Sequence, residues 1–136
     1  MTESDKKRLV SAATRARRLA RAAYSGFKVG AAVLTKNGEI VTGANVESAS
    51  YGLTCCAERV ALFKALTEGK SGIRAIAVVA RAKGGPMPCG ACRQLLSEYA
   101  AGAVVWVADS RRPGAVMEFR VESLLPAAFS GSTLTR

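Results

Sequence analysis

The alternation of apolar and polar residues predicts that the chain begins with an amphipathic helix followed by a β-hairpin. Between residues 5 and 23 apolar side chains recur every three or four positions, so that the arginines fall largely on the other helix face. Residues 29–34 and 40–46 have the composition of two strands. The Asn37-Gly38 dipeptide lies between these strands and strongly favours a tight hairpin turn.

The rest of the chain alternates between helix and strand. The pattern predicts helices over residues 56–66 and 90–99, strands over 73–79, 104–108 and 117–121, and a helical turn over 123–125. The apolar run at 73–79 is continuous, which is typical of a strand buried on both faces. This order predicts a three-layer α/β fold, in which a mixed central sheet carries helices on both faces. No repeat or linker divides the sequence, so residues 1–136 are predicted to form one domain.

Composition narrows the possible locations and chemistries of the protein. The chain has 136 residues, 49% of them hydrophobic and 22% charged, which is ordinary for a globular domain with a proper core. Residues 1–8 are not followed by the apolar segment of a signal peptide, and no apolar run approaches the roughly 20 residues of a membrane span. We therefore expect a cytoplasmic protein with no membrane partner. The sequence contains no histidine, which excludes Ser-His-Asp and Cys-His catalysis.

Positive charge is concentrated near the N-terminus. The net charge is +10, and residues 1–23 carry seven Lys or Arg residues against Glu3 and Asp5. Such a basic face could attract RNA, DNA or an acidic partner. The stretch lacks the interleaved aromatic residues of single-strand binders, so a solvated helix face is the favoured interpretation.

Two short segments carry the candidate chemistry. Cys56-Ala57-Glu58 is followed, 33 positions after Cys56, by Cys89-Gly90-Ala91-Cys92. Catalytic zinc usually has three protein ligands and an open position for water, and a carboxylate beside that water can move protons. Nucleobase deaminases that use zinc have this layout, including a form with three cysteines. The segments therefore predict a zinc ion held by three thiolates, with Glu58 beside it as the proton carrier.

The placement of these segments at predicted helix starts has electrostatic consequences. Helix N-termini stabilise thiolates and lower their pKa. Three thiolates around zinc leave a net negative charge, which Arg59 and Arg93 are expected to offset by donating hydrogen bonds to sulfur. Taken alone, Glu58 could also be an ordinary surface glutamate that favours a helix N-terminus.

The remaining cysteine, Cys55, is interpreted as a small buried residue. A structural four-cysteine zinc site normally uses two spaced pairs, whereas the side chains of the adjacent Cys55-Cys56 would diverge. A lone Cys-x-x-Cys could also be a redox motif, but such a motif needs neither the glutamate nor the third cysteine.

Several motifs in order resemble the homotetrameric, zinc-dependent cytidine deaminases of pyrimidine salvage. The resemblance extends from residues 24–32 through Asn45-Val46-Glu47, residues 50–54, the two cysteine segments and residues 124–129. It implies a cytidine-deaminase-like fold and one zinc ion per subunit, held by Cys56, Cys89 and Cys92 with water as fourth ligand. It also implies that Glu58 carries protons from this water to the base and then to the departing amino group, so that cytidine and deoxycytidine become uridine and deoxyuridine with release of ammonia.

The same resemblance implies the residues that bind the nucleoside. Asn45 and Glu47 would bind the ribose hydroxyls, Phe27 would pack against the nucleoside, and the N–H of Ala57 would meet the base carbonyl. Phe129 would stack on the base in the site of a neighbouring subunit. Without the resemblance, Asn45 could equally be a residue at a strand end and Phe27 a core aromatic.

Three alternatives remain open on the sequence. One is a deaminase of the same fold that acts on another cytosine compound, such as an aminoacyl-nucleoside antibiotic. Another is a basic protein that binds or edits nucleic acid, which the short chain disfavours because editing requires a groove for flanking nucleotides. The last is a zinc protein with a purely structural role.

Overall fold

A mixed sheet of five strands lies at the centre of the computed structural model, which describes residues 1–134. The strands are β1 (Val29–Thr35), β2 (Ile40–Ala44), β3 (Ile73–Ala80), β4 (Val104–Asp109) and β5 (Val116–Arg120). They are arranged in the order β2-β1-β3-β4-β5, with β3 and β4 parallel and the other neighbours antiparallel. Apolar runs and the turn at Asn37-Gly38 therefore predicted every strand to within two residues.

Along the chain, one helix precedes β1, two helices connect strands and one helix follows β5. They are α1 (Glu3–Ala16), α2 (Ala57–Thr67), α3 (Gly90–Tyr99) and α4 (Val121–Leu124), with short 3-10 helices at Arg17–Leu19, Tyr51–Leu53 and Gly131–Leu134. None of the helices within residues 1–134 combines the length and apolarity that crossing a membrane requires.

The two faces of the sheet are covered by different helices, which confirms the predicted three-layer α/β fold. On one face α1 packs through Leu9, Ala13 and neighbouring residues onto β1, β3 and β4, including Trp106. On the other face α2, α3 and α4 enclose a second apolar core that contains Leu62 and Leu96.

The first helix ends earlier than its apolar periodicity predicted. The α-helix stops at Ala16 and a 3-10 turn follows, so the prediction of a helix reaching residue 23 was wrong. Ala20 is extended, and the backbone of Arg21 forms hydrogen bonds with Asn45 and Glu47. These long-range backbone bonds compete with the helix, and alanine spacing in the sequence contains no signal for them.

The directions of the strands determine where the second and third helices begin. Because β1 runs antiparallel to both β2 and β3, the strands β2, β3 and β4 point in the same direction. The loop after β2 leads into α2, and the loop after β3 leads into α3. Both helices therefore begin at the same edge of the sheet, and both lie on the same face.

Two glycines allow the backbone of a helix to lie directly against the backbone of a strand. A Cβ atom on Gly30 in β1 would lie 2.0 Å from the carbonyl oxygen of Ala13 in α1. A Cβ atom on Gly43 in β2 would lie 2.5 Å from the backbone nitrogen of Ala61 in α2. Both obstacles are main-chain atoms, so only a shift of the whole helix could relieve such a clash.

We expect Gly30→Ala to lower the free energy of unfolding by about 3 kcal/mol or more, because the added methyl group overpacks the interface between α1 and the sheet. The matched control is Gly114→Ala, since a Cβ atom there has no neighbour within 4 Å. That control should change stability by about 1 kcal/mol at most. Chemical denaturation followed by circular dichroism measures both, and equal stability of the two variants would contradict the close packing.

Candidate active site

Two helix N-termini bring three cysteine sulfurs together. Cys56 immediately precedes α2, Cys89 immediately precedes α3, and Cys92 lies in the first turn of α3. The three Sγ atoms all lie within 4.8 Å of one another, and those of Cys56 and Cys89 are 3.9 Å apart. The cysteines singled out by their spacing in the sequence therefore converge in the fold.

The thiols of Cys56 and Cys92 differ strongly in pKa. The nearby Cys92 thiol, together with Arg59 and Cys89, lowers the pKa of Cys56 to about 5. The proximity of Cys56 raises the pKa of Cys92, and burial raises it further. Cys56 is thus ionised near neutral pH and Cys92 keeps its proton, so a cation that joins the cluster would have to displace the remaining protons.

The residues present fit zinc. Four ligands around zinc at about 2.3 Å place neighbouring sulfurs about 3.8 Å apart, and the Cys56–Cys89 separation is 3.9 Å. Thiolates are soft ligands, and they favour zinc over harder divalent ions such as magnesium and calcium. Within residues 1–134 no fourth His, Cys, Asp or Glu joins this group, so the site retains an open position of the kind that catalytic zinc uses.

Cys55 lies outside the cluster, as expected, but it is half-buried rather than buried. Its backbone pairs with Val46 through reciprocal hydrogen bonds of 2.9 and 3.0 Å. Burial raises the pKa of the Cys55 thiol, which favours the neutral form.

The carboxyl group of Glu58 is held in the second position of α2, beside the cysteines. This residue is only 6% exposed. Its pKa rises to about 7, mainly because of burial, and the nearby Cys56 thiolate contributes to this rise. The ordinary surface glutamate considered from sequence is therefore excluded by burial, and the group can hold or release a proton near neutral pH.

The two arginines next to the site have different roles. Nη2 of Arg59 donates to the Thr54 carbonyl at 3.1 Å and to Cys56 Sγ at 3.7 Å, and its buried Nε has no partner among residues 1–134. Arg93 instead donates to the carbonyls of Pro88 and Leu124, at 2.8 and 3.0 Å. The bond to sulfur expected of Arg93 is absent from the described residues. This side chain links the segment before Cys89 to the end of α4.

Asn45 and Glu47 organise the segment that contains Phe27. The Asn45 side chain accepts from Val29 N at 2.8 Å and donates to the Phe27 carbonyl at 2.9 Å. Glu47 accepts hydrogen bonds from the backbone of Tyr24 and Ser25, and from the Ser25 hydroxyl. The Ser25 hydroxyl bond is the main cause of the lowered pKa of Glu47, which keeps this carboxylate ionised.

The residue pattern assigns Ser25 no role, although its hydroxyl contacts Glu47 and also accepts from Phe27 N at 2.9 Å. Ser25 belongs to residues 24–32, which contribute to the family resemblance without indicating this contact. A surface cleft lies beside it, and its lining includes Tyr24, Ser25 and Glu47.

The other two predicted nucleoside contacts lie in different environments. Ala57 is fully buried as the first residue of α2. Its N–H is therefore one of the free amides of the helix start, directly after Cys56. Phe129 is 57% exposed in the C-terminal segment, where its carbonyl accepts from Gln94 Nε2 at 3.1 Å.

Comparisons with known proteins identify the family. Residues 3–108 match the family model for the cytidine and deoxycytidylate deaminase zinc-binding region. The cytidine deaminase of Halalkalibacterium halodurans is 47% identical over 131 residues, covering 96% of this chain and 98% of that protein. The chain belongs to the cytidine and deoxycytidylate deaminase family. Its fold agrees: the crystal structure of cytidine deaminase from Burkholderia pseudomallei superposes with a TM-score of 0.85 at 46% identity, covering 95% of this chain and all of that one.

A more distant relative of this chain is named for a different substrate. The blasticidin-S deaminase of Bacillus cereus is 30% identical over 110 residues, covering 75% of this chain and 76% of that protein. The family resemblance stated from sequence is therefore confirmed, and the family alone leaves a choice between cytosine compounds.

Removal of individual cysteines tests the metal site. We expect Cys56→Ala, Cys89→Ala and Cys92→Ala each to lose zinc, because two thiolates do not retain an ion that needs three protein ligands. Cys55→Ala is the matched control and should keep one zinc ion per chain. Elemental analysis of the purified proteins by mass spectrometry measures the content, and loss of zinc from Cys55→Ala would overturn the ligand assignment.

Arg59→Gln tests how the negative charge of the thiolates is balanced. We expect zinc affinity to fall by about 10- to 100-fold, since outer-shell partners of metal ligands typically have effects of this size. Competition with a chromogenic chelator measures the affinity, and the exposed Arg74→Gln serves as a control for loss of one positive charge. An unchanged affinity in Arg59→Gln would mean that the helix N-termini alone balance the charge.

Proposed function

We propose that this protein catalyses the zinc-dependent hydrolytic deamination of cytidine and deoxycytidine, giving uridine or deoxyuridine and ammonia. The observation that carries the proposal is the buried carboxyl group of Glu58 next to three converged cysteine sulfurs with an open ligand position. Relatives named cytidine deaminase that align over nearly the whole chain support it.

Cys56, Cys89 and Cys92 would hold the metal. When bound there, zinc supplies a Lewis acid that makes water a nucleophile at neutral pH. Arg59 would donate to the Cys56 sulfur and withdraw part of its negative charge, as its position 3.7 Å from that sulfur allows. The two helix N-termini would add their partial positive charge.

Glu58 would carry the protons of the reaction. Its carboxylate would accept a proton from the attacking water and deliver it to N3 of the cytosine ring. It would then transfer the second proton to the amino group at C4, so that ammonia leaves and the carbonyl of uridine forms. A carboxyl group whose pKa is raised to about 7 by burial suits this work, because it gains and loses protons with little bias near neutral pH.

The segment organised by Asn45 and Glu47 would bind the nucleoside. Glu47 is ionised and accepts three hydrogen bonds from residues 24 and 25, and a carboxylate has about four acceptor positions, so it can also accept from a ribose hydroxyl. Asn45 would use its remaining amide hydrogen. Phe27, which is 44% exposed, would pack against the nucleoside, and Ala57 N–H would donate to the base carbonyl.

A homotetramer would complete the site, with Phe129 entering the site of a neighbouring subunit. Large apolar side chains exposed on the described chain offer surface on which neighbouring subunits could pack. Leu19, Tyr51 and Leu53 are between 73% and 81% exposed, and Phe129 is also exposed. We place the enzyme in pyrimidine salvage in the cytoplasm.

Glu58→Gln tests the proposed reaction. We expect the zinc-loaded wild-type protein to convert cytidine to uridine, and the variant to lose roughly 10³-fold or more in turnover while retaining zinc, since an amide of the same shape cannot carry the proton. Liquid chromatography of the nucleosides measures turnover. The matched control is Glu68→Gln at the other end of α2, an exposed residue that should leave turnover unchanged.

The result also separates the alternatives. Uridine formed by wild type and lost in Glu58→Gln supports both the reaction and the proton carrier. A zinc-loaded wild type that ignores cytidine but deaminates blasticidin S would transfer the proposal to an aminoacyl-nucleoside substrate. Zinc without turnover of either compound would indicate a structural metal site.

A further inference from the structure

The strong positive charge of this protein has no role in the proposed deamination. The net charge is +10, whereas cytidine and uridine are neutral molecules. Half of the charge lies in residues 1–23, and α1 in this stretch covers the face of the sheet opposite to α2 and α3. The cysteines begin α2 and α3, so this charge lies on the other side of the sheet from the metal ligands.

Basic side chains line a cleft between α1 and the turn that joins β4 to β5. We call it the basic cleft; its volume is about 560 Å³, and its lining includes Lys6, Lys7, Arg15, Arg18, Pro113 and Gly114. This volume lies within the usual range of ligand-binding clefts. The side chains at positions 7, 15 and 18 recur at helical spacing, which places them along one stripe of the helix and its 3-10 extension.

Most of these cations have no acidic partner. Lys6 pairs with Glu3 at 3.0 Å. Among residues 1–134, Lys7, Arg15 and Arg18 form no salt bridge, and the one side-chain bond of Arg15 is to the hydroxyl of Ser11. Unpaired cations gathered in a concave surface focus their positive potential on whatever enters it.

A second cleft also borders this turn and extends the charge. Its lining includes Lys83, Arg111 and Arg112. Arg111 is neutralised by a bidentate bond to Asp109, at 3.0 and 2.8 Å, but the other two form no salt bridge among the described residues. Positive side chains therefore line two clefts that share one turn, which is more than a single phosphate group would occupy.

We propose that the basic cleft and its continuation bind the sugar–phosphate backbone of a nucleic-acid strand. Five cations that form no salt bridge within residues 1–134, spread over two neighbouring clefts, match a chain of regularly repeated negative charges better than one small anion. Neither lining contains an aromatic residue, so the contact lacks base stacking and is independent of sequence. The clefts are concave, which suits a single strand better than a wide, rigid duplex.

The test uses the zinc-loaded full chain and a fluorescein-labelled oligouridylate of 20 nucleotides, with binding followed by anisotropy over a range of salt concentrations. The triple variant Lys7→Gln/Arg15→Gln/Arg18→Gln removes three proposed phosphate contacts. The matched control, Lys36→Gln/Lys64→Gln/Arg74→Gln, removes the same charge from exposed positions outside both clefts.

We expect the slope of log K against log salt to become shallower by about 2 in the triple variant, because each phosphate contact on a single strand contributes about 0.7. At 0.1 M salt this corresponds to an affinity loss of about 100-fold. The control should retain most of its affinity and slope. Cytidine turnover should be the same in the triple variant and wild type, so failure of this proposal and failure of the proposed deamination are distinguishable.

Several results would overturn the proposal. Equal loss of binding in the control variant would show that net charge alone attracts the strand. Equal competition by poly-glutamate would indicate an acidic protein partner, and equal competition by tripolyphosphate would indicate a site for a small anion. Tighter binding of a duplex than of the strand would contradict the assigned occupant. Circular dichroism of each variant checks that a loss of binding is not a loss of fold.

Discussion

Three sulfurs held within 4.8 Å cannot all be ionised unless a cation lies among them, and the chemistry of this protein depends on that constraint. Without a cation the cluster divides its protons, with the pKa of Cys56 lowered and that of Cys92 raised. Arg59 and two helix N-termini supply positive charge toward the sulfurs. Burial, which raises the pKa of Cys92, also raises the pKa of Glu58.

The fold creates this proximity through strand direction and close packing. Because β2 and β3 point the same way, the helices that follow them begin at one edge of the sheet. Gly43 lets the backbone of α2 approach β2, where any side chain would meet main-chain atoms of Ala61. Arg93 then ties the segment before Cys89 to α4, so the metal ligands are supported by elements distant in sequence.

The segment proposed to bind the nucleoside is supported by the residues that would contact the substrate. The Asn45 side chain forms hydrogen bonds with the backbone on both sides of Lys28. Glu47 accepts hydrogen bonds from the backbone N–H and the hydroxyl of Ser25. Their polar groups are therefore oriented before any ligand arrives, which lowers the entropic cost of binding. On the other face of the sheet α1 carries Lys7 and Arg15, which form no salt bridge within the described part of the chain, so two surfaces of different chemistry share one sheet.

The strands, the cysteine cluster and the identity of the neighbouring carboxylate could be predicted from the residues alone. These features are encoded locally, in continuous apolar runs, in the Asn37-Gly38 turn, and in residue types that zinc requires at fixed spacing. The folded chain was needed to establish where α1 ends, which carbonyls Arg93 binds, how deeply Glu58 is buried, and that basic side chains line clefts. Each of these depends on contacts between segments far apart in the chain, and the free energy of such contacts leaves no periodic trace in the local sequence.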